Sequence, residues 1–353
     1  VVLHVGQPKA GSTALQRALC EAAVTLRDRG ILYPMEAATV SRRMDGQSIH
    51  SHNLLAGVGV PFESLYAPLR QYYVDQRGLD EALQRFTDDV HRQLASRAYE
   101  TLVLSGEMIS EASCDALFAL RDWMKQSLGL SDIDVCLYVR SPVDAYRSRI
   151  MQDVKAALDF TPPDAFLVDY RGQVERLSRV FGTDAVHPVR FGSDNAPWDA
   201  VGDFAERFLG VSLQGRRLNE ALALEATFFL AAYWNACRVM GPLGRTKYEL
   251  LVSWLESNPY TTDGRVLPRL RSSAVECLLG RHQEQLAWLS SRGVDFATAQ
   301  STPRHLTGSP AAALEDVFES VPSPEQMRAF DVFVVDGLLH ACVVMNEALN
   351  GGG

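Results

Sequence analysis

The sequence predicts an α/β fold, a parallel sheet flanked by helices, followed by an all-helical C-terminal elaboration. Two observations point there. Over roughly the first 210 residues, short apolar runs alternate with helical periodicity, the pattern of strand–helix units whose crossover helices cover a parallel sheet. Beyond about Asn219 the strand-like runs stop and only helical patterns follow. A chain of 353 residues with 47% apolar and 22% charged residues has the composition of an ordinary globular protein. The expected division is an α/β core over residues 1–215 and a helical extension over 216–353, packed on that core.

The elements follow in order. Val1–Val5 is an apolar run that reads as a strand, and Gly6 and Gly11 bracket a tight turn after it. From about Ser12 a helix is expected, because Leu15, Leu19, Ala22, Ala23 and Leu26 recur at helical spacing before Gly30. Ile31, Leu32 and Tyr33, ended by Pro34, form the next strand. The stretch from Met35 to Gly59 is mixed and polar, holds Arg42, Arg43, His50 and His52, and reads as long irregular chain. A helix from about Glu63 to Arg97, interrupted near Gly78, turns Leu79, Leu83, Phe86, Val90 and Leu94 inward.

Thr101–Ser105 and Val135–Val139 are buried-type strands separated by a helix over Cys114–Leu128. Ser141, Pro142 and Asp144 then make a helix start, with a cap, a preset φ and a first-turn carboxylate, for a helix running to about Leu158. Val186–Phe191 is a weaker strand, since Pro188 suits an edge position. Asp199–Leu209 reads as a helix, as do Leu222–Met240, Tyr248–Leu255, Pro268–Leu289 and Pro324–Leu349. Ser323 and Gln326 form a capping box before the last of these. This helical tail is expected either to cover the rim of a site or to form a contact between copies of the chain.

A net charge of −9 and a pI near 5.4 argue against nucleic acid as a partner, which calls for a basic footprint. The six cysteines are scattered, with no CxxC pair and no metal-ligand spacing, and read as small hydrophobes in a reducing compartment. No apolar run has membrane-spanning length and no signal peptide is evident, so the expected location is the cytoplasm. The first residue is not Met and the last three are glycine, which leaves open whether an N-terminal segment was trimmed.

The first loop carries chemistry. A strand, a glycine-bracketed turn and a helix N-terminus gather unpaired N–H groups and the positive end of the helix dipole, which favours an anion. Lys9 adds a formal charge inside the turn. The run Gly6-Gln7-Pro8-Lys9-Ala10-Gly11-Ser12-Thr13 keeps the two glycines and the hydroxyl of the nucleoside-triphosphate pattern GxxxxGK[ST] and so is P-loop-like. Its lysine, however, stands two residues before the second glycine, and reaches the anion from another direction. Arg140, at the carboxyl end of a strand, stands where open α/β sheets bind ligands. Its guanidinium suits forked recognition of a phosphate, and Ser148 two turns into the next helix can donate to the same group.

The spelling PKAGST resembles the 5′-phosphosulfate loop of sulfotransferases, usually PKxGTT, and the pair Arg140 and Ser148 resembles that family's 3′-phosphate motif. Further runs are similar to its bacterial carbohydrate-type branch: HVGQPKAGST, Gly30 to Pro34 (GILYP), His52 to Ala56 (HNLLA), Leu104 to Glu107 (LSGE), Tyr138 to Arg140 (YVR) and Asn219 to Ala221 (NEA). The likeness spans roughly the first 225 residues and departs at Gly106, where a second serine is usual, and at Ala10, where Thr or Ser is usual. It implies transfer of a sulfuryl group from 3′-phosphoadenosine 5′-phosphosulfate to an acceptor hydroxyl or amine of a carbohydrate, glycoconjugate or small molecule, leaving adenosine 3′,5′-bisphosphate and needing no metal. Residues 7–13 would hold the 5′-phosphate, with Lys9 on the leaving oxygen, while Arg140 and Ser148 would hold the 3′-phosphate.

An acceptor hydroxyl needs a general base. His52 is the first choice, since imidazole titrates near neutrality and stands at the family's histidine position; Glu107 follows closely and His50 is third. Two other readings compete: a small-molecule kinase using the loop for ATP, and a nucleotide-binding module without chemistry. The displaced lysine and the lack of an obvious Mg²⁺ carboxylate after a strand, Glu107 apart, weigh against the kinase. His4 and His187 are expected to be strand residues facing neighbours, and Phe228, Phe229, Tyr233 and Trp234 to be core packing rather than an acceptor pocket.

Overall fold

A computed structural model of the chain describes residues 1–35, 40–44, 47–192, 198–215, 222–258, 268–296 and 314–350. In chain order the elements are β1 (Val2–His4), α1 (Ser12–Glu21), α2 (Ala23–Asp28), β2 (Ile31–Leu32), β3 (Val40–Met44) and β4 (Gln47–Ser51). Then come α3 (Ala67–Arg70), α4 (Gln76–Ser96), β5 (Thr101–Ser105), α5 (Cys114–Ser127), β6 (Asp134–Val139), α6 (Pro142–Lys155), α7 (Tyr170–Phe181), β7 (Val186–Arg190) and α8 (Ala200–Phe204). The remainder is helical: α9 (Leu224–Cys237), α10 (Gly241–Ser257), α11 (Ser272–Arg281), α12 (Gln283–Ser290), α13 (Leu314–Val317) and α14 (Pro324–Asn350). The chain forms two compact units, one of residues 1–141, 168–218 and 283–298, the other of 142–167, 219–282 and 299–353.

The first unit is built on a five-stranded sheet of order β2-β5-β1-β6-β7, parallel throughout, which is the expected fold class. β1 is central because its apolar run tolerates burial on both faces: Val2, Leu3 and Val5 are all buried. On one face Val2, Val103, Cys136 and Tyr138 pack with Leu15 and Leu19 of α1, Leu26 of α2 and Phe204 of α8. Strand side chains alternate, so Val135, Leu137 and Val139 point to the opposite face, where α7 packs against β6 and β7 and α5 and α12 pack against α7. β7 is an edge strand, with Pro188 opposite Leu137, which suits its missing N–H.

Three expectations need correction. Residues 35–59 are not irregular throughout: β3 and β4 form an antiparallel hairpin pairing Val40 with Ser51, and Asn53–Gly57 is a 3₁₀ turn. Polar strands without apolar alternation hid the hairpin. The helix drawn from Glu63 begins only at Gln76, where the Asp75 carboxylate accepts from the Gly78 amide at 2.8 Å; before it stand a 3₁₀ turn and the short α3. Finally, α7 has no counterpart among the expected elements, although Asp169 caps it and Val174, Leu177 and Val180 are buried at helical spacing. The run Asn219–Ala221 lies outside the described residues.

The second unit is helical, with a core of Tyr146, Ile150, Leu230, Tyr248, Leu278, Phe318 and Phe330. Phe228, Phe229, Tyr233 and Trp234 are partly buried against it: Phe229 meets Phe330 edge-on at 5.3 Å and Trp234 meets Tyr248 at 5.3 Å, the packing role expected of them. At the start of α14 the box closes reciprocally. Ser323 N donates to Gln326 Oε1 at 2.8 Å and Gln326 N to Ser323 Oγ at 3.2 Å. Among the described residues no helix is long and apolar enough to cross a membrane, and the five described cysteines are free.

Replacing Ser323 by Ala is expected to cost about 1 kcal/mol, the usual loss for an N-cap hydroxyl. Equilibrium urea denaturation checks it, and an unchanged midpoint would mean that water satisfies the Gln326 amide equally well.

Candidate functional site

The loop after β1 enters α1 through three left-handed residues: Gly6 (φ 58°), Lys9 (φ 68°) and Gly11 (φ 78°). Gly11 must lack a Cβ, since one built there would stand 2.9 Å from the Phe191 ring. At Gly6 a Cβ would stand 2.8 Å from Ser12 Oγ and 3.3 Å from Cα of Glu107, so the loop lies directly against the end of β5. Lys9 is not a glycine, and a left-handed L-residue costs roughly 1 kcal/mol or more. What holds it is Arg140, whose Nη1 donates to the Lys9 carbonyl at 2.6 Å.

Arg140 follows β6, the strand beside β1, so the two loops leave neighbouring carboxyl ends of the sheet. Its guanidinium lies over Phe191, 5.2 Å from the ring centroid. The Arg140 amide donates to Gln7 Oε1 at 3.0 Å, and the Arg140 carbonyl accepts from Tyr170 Oη at 2.8 Å. Gln7 and Ala10 are buried, Thr13 half-buried, and Pro8 and Lys9 exposed at the tip of the turn. The Ala10 amide donates to Gln7 O at 3.0 Å, which closes that turn.

The start of α1 carries no side-chain cap and no acidic residue in its first turn. Among the described residues, Ser12 Oγ is buried with no hydrogen-bond partner. A buried hydroxyl left unpaired costs stability unless a ligand or water completes it. An uncapped helix start, a serine hydroxyl, a lysine on the turn and a nearby arginine are the kinds of donor that an anion calls for, and phosphate oxygens fit that donor set.

Of the candidate bases, Glu107 stands nearest the loop. It is half-buried at the start of a 3₁₀ turn, Glu107–Glu111, with its Cβ against Gly6. His52 is fully enclosed: its Nδ1 accepts from the Ser105 amide at 2.9 Å and its Nε2 donates to the Pro34 carbonyl at 2.8 Å. Neither nitrogen is left for a substrate proton. Its position in the motif carried no information about burial. His50 lies half-buried on β4, its carbonyl accepting from Tyr33 Oη at 2.6 Å. Ser148 is half-buried on α6, in the second unit.

Gly106, where a second serine is usual in the pattern above, is explained by its surroundings. A Cβ there would stand 2.9 Å from the His52 carbonyl oxygen. Beneath the loop lies a buried polar layer: His4 Nδ1 meets Ser105 Oγ at 2.8 Å, and Gln16 Nε2 donates to the same oxygen at 3.3 Å. His187, the other strand histidine, meets Asp134 at 3.0 Å. The residues that sequence reasoning missed are Gln173 and Tyr170 on α7, together with Glu111; the Asp169 cap and the apolar spacing after it were the available signal. Among the described residues no group of three or more His, Cys, Asp or Glu is arranged to hold a metal ion.

What fold and site together define is an α/β protein with an uncapped, lysine-bearing loop at the carboxyl edge of its parallel sheet. The chain matches no family model and no curated protein. Among solved structures it is similar to the crystal structure of a sulfotransferase from Alicyclobacillus acidocaldarius, at 16% identity and a TM-score of 0.36, over 67% of this chain and 92% of that one. A likeness of that size carries no inference about this chain.

The two buried histidines give the site a pH signature. Burial lowers His52 to about 4, partly opposed by its bond to the Pro34 carbonyl, and lowers His4 to about 3. In the unfolded chain both titrate near 6.5. Protons therefore favour unfolding: this stability is complete above about pH 6.5 and is lost as pH falls toward 4 for His52 and 3 for His4. Each unit of difference is worth about 1.4 kcal/mol. Urea midpoints are expected to fall between pH 7 and pH 5, and His52→Gln to flatten that fall; parallel curves would contradict it.

Proposed function

We propose that the chain is a sulfotransferase that moves a sulfuryl group from 3′-phosphoadenosine 5′-phosphosulfate to the hydroxyl or amine of a carbohydrate or glycoconjugate. One observation carries the reading: the lysine turn and Arg140 are bonded to each other, through Lys9 O at 2.6 Å and Gln7 Oε1 at 3.0 Å. Two cationic side chains on joined loops suit a ligand with two separate phosphates, which this nucleotide has and ATP has not. The acceptor class follows from the resemblance to the carbohydrate-type branch. The scattered cysteine pattern, without CxxC pairs, suits a reducing compartment, and the cytoplasm is the proposed location.

When bound, the nucleotide supplies the sulfuryl group and the phosphate it leaves behind. The chain's own residues bind and orient. Ser12 Oγ, Thr13 Oγ1 and the free amides at the start of α1 donate to one phosphate, and the Lys9 ammonium neutralises its charge. Arg140 takes the other phosphate through its fork. The Glu107 carboxylate accepts the proton of the acceptor hydroxyl, a role His52 leaves open because both its nitrogens are engaged.

Isothermal titration with adenosine 3′,5′-bisphosphate and with ATP–Mg²⁺ tests the donor. Micromolar binding of the bisphosphate is expected, with Arg140→Ala losing about 1.5–3 kcal/mol, the worth of a charged hydrogen bond. Tight, magnesium-dependent ATP binding indifferent to Arg140 would sink the reading and favour a kinase.

Turnover is tested with radiolabelled donor and a panel of polysaccharide acceptors. Glu107→Gln is expected to lower kcat by about 10²–10⁴-fold with bisphosphate affinity unchanged, as for loss of a general base. Full activity of Glu107→Gln would remove it from the chemistry, and no transfer to any acceptor would favour a nucleotide-binding module.

A further inference from the structure

Gln7 and Gln173 form a chain of side-chain amides that runs from the loop to a carboxylate. Gln7 is 4% and Gln173 7% exposed. Gln7 Oε1 accepts from the Arg140 amide at 3.0 Å. Gln7 Nε2 donates to Gln173 Oε1 at 3.2 Å, and Gln173 Nε2 donates to Glu111 Oε1 at 3.4 Å.

The direction of this chain is not arbitrary. An ionised carboxylate can only accept, so Glu111 turns the NH₂ of Gln173 toward itself. That turns the Gln173 oxygen toward Gln7, which must then present its own NH₂ there and its oxygen to Arg140. The opposite polarity would set the Gln7 NH₂ against the Arg140 N–H, donor against donor. One turn earlier on the same helix, Tyr170 Oη donates to the Arg140 carbonyl at 2.8 Å, so α7 grips both sides of that residue.

We infer that Gln173, Gln7 and Glu111 are positioning residues: the Glu111 carboxylate polarises an amide relay that sets the gap between the lysine turn and Arg140, and so lets one nucleotide span both. The functional half of this inference rests on the two-phosphate reading above. The relay itself rests on the hydrogen bonds alone.

Gln173→Glu is the informative substitution. The introduced carboxylate still accepts from Gln7 but faces the Glu111 carboxylate with no proton between them. Affinity for adenosine 3′,5′-bisphosphate, measured by isothermal titration, is expected to fall about tenfold, the scale of one buried hydrogen bond left unmade. Adenosine 5′-phosphate, which needs only the lysine turn, is expected to change less than about twofold, because its contacts omit Arg140. Adding Glu111→Gln returns a donor to the pair, and the double variant is expected to recover bisphosphate affinity. Glu111 is exposed, so Glu111→Gln alone folds and serves as the control for a misfolded Gln173→Glu; with a neutral acceptor in place of the charged one at its end, the relay is expected to weaken bisphosphate binding about twofold to threefold.

Hydrogen exchange at the Arg140 amide reads the relay without ligand. It is expected to accelerate in Gln173→Glu and Glu111→Gln, and to slow again in the double variant. Unchanged exchange in both single variants, or failure of the double to recover, overturns the relay. If wild type binds no bisphosphate, the two-phosphate reading and the relay's function fall together; exchange then decides the hydrogen-bond chain by itself.

Discussion

The bond from the Arg140 guanidinium to the Lys9 carbonyl is the constraint on which the site depends. Lys9 sits in a backbone region that L-residues avoid, and its carbonyl meets a charged donor at 2.6 Å there. Such a bond is possible only because β1 and β6 are adjacent and parallel, so that their carboxyl ends emerge side by side. The loops then diverge, since β1 leads toward β2 on one side of the sheet and β6 toward β7 on the other. A crevice where connections part company is where open α/β sheets receive ligands. Gly6 and Gly11 serve the same arrangement by letting the turn settle onto Glu107 and Phe191.

Beneath this turn the core is polar where an apolar one would have sufficed for stability. His4, Ser105, His52 and Gln16 are buried and joined, and burial keeps both imidazoles neutral well below ordinary pH. Polar groups of this kind add little net stability when satisfied and are costly when displaced. Their effect is to hold the ends of β1 and β5, together with the 3₁₀ turn that carries Glu107, in one register. His52 therefore ties the Ser105 amide at the end of β5 to the Pro34 carbonyl.

How much of this was legible depended on the range of the interactions involved. The anion loop is local: strand, glycines, lysine and helix start lie within thirteen residues, and Arg140 is marked by the strand before it. The edge position of Pro188 follows from a missing donor. By contrast, the role of His52 depends on Pro34 and Ser105, and the tightness at Gly106 on the His52 carbonyl. The hairpin of β3 and β4 escaped because Ser41, Arg42, Arg43, Gln47 and Ser48 lack apolar alternation. The partners of the Gln7 side chain lie at positions 140 and 173, and that of Gln173 at 111, far apart in sequence, and the packing of α7 against β6 helps bring them together.

That packing explains why glutamines occupy those positions. An apolar contact between α7 and the loop would bury as much area yet leave the two free to slide, since dispersion is non-directional. Hydrogen bonds of fixed polarity permit one distance and one orientation. Gln7 is suited to the junction because its amide both accepts from Arg140 and donates to Gln173, which neither Glu nor Leu can do. The Arg140 N–H at one end, which can only donate, and a carboxylate at the other, which accepts, both demand the same polarity of this amide chain. The same turn thus combines a left-handed lysine, held by charge, with a glutamine held by polarity, and both bonds converge on Arg140.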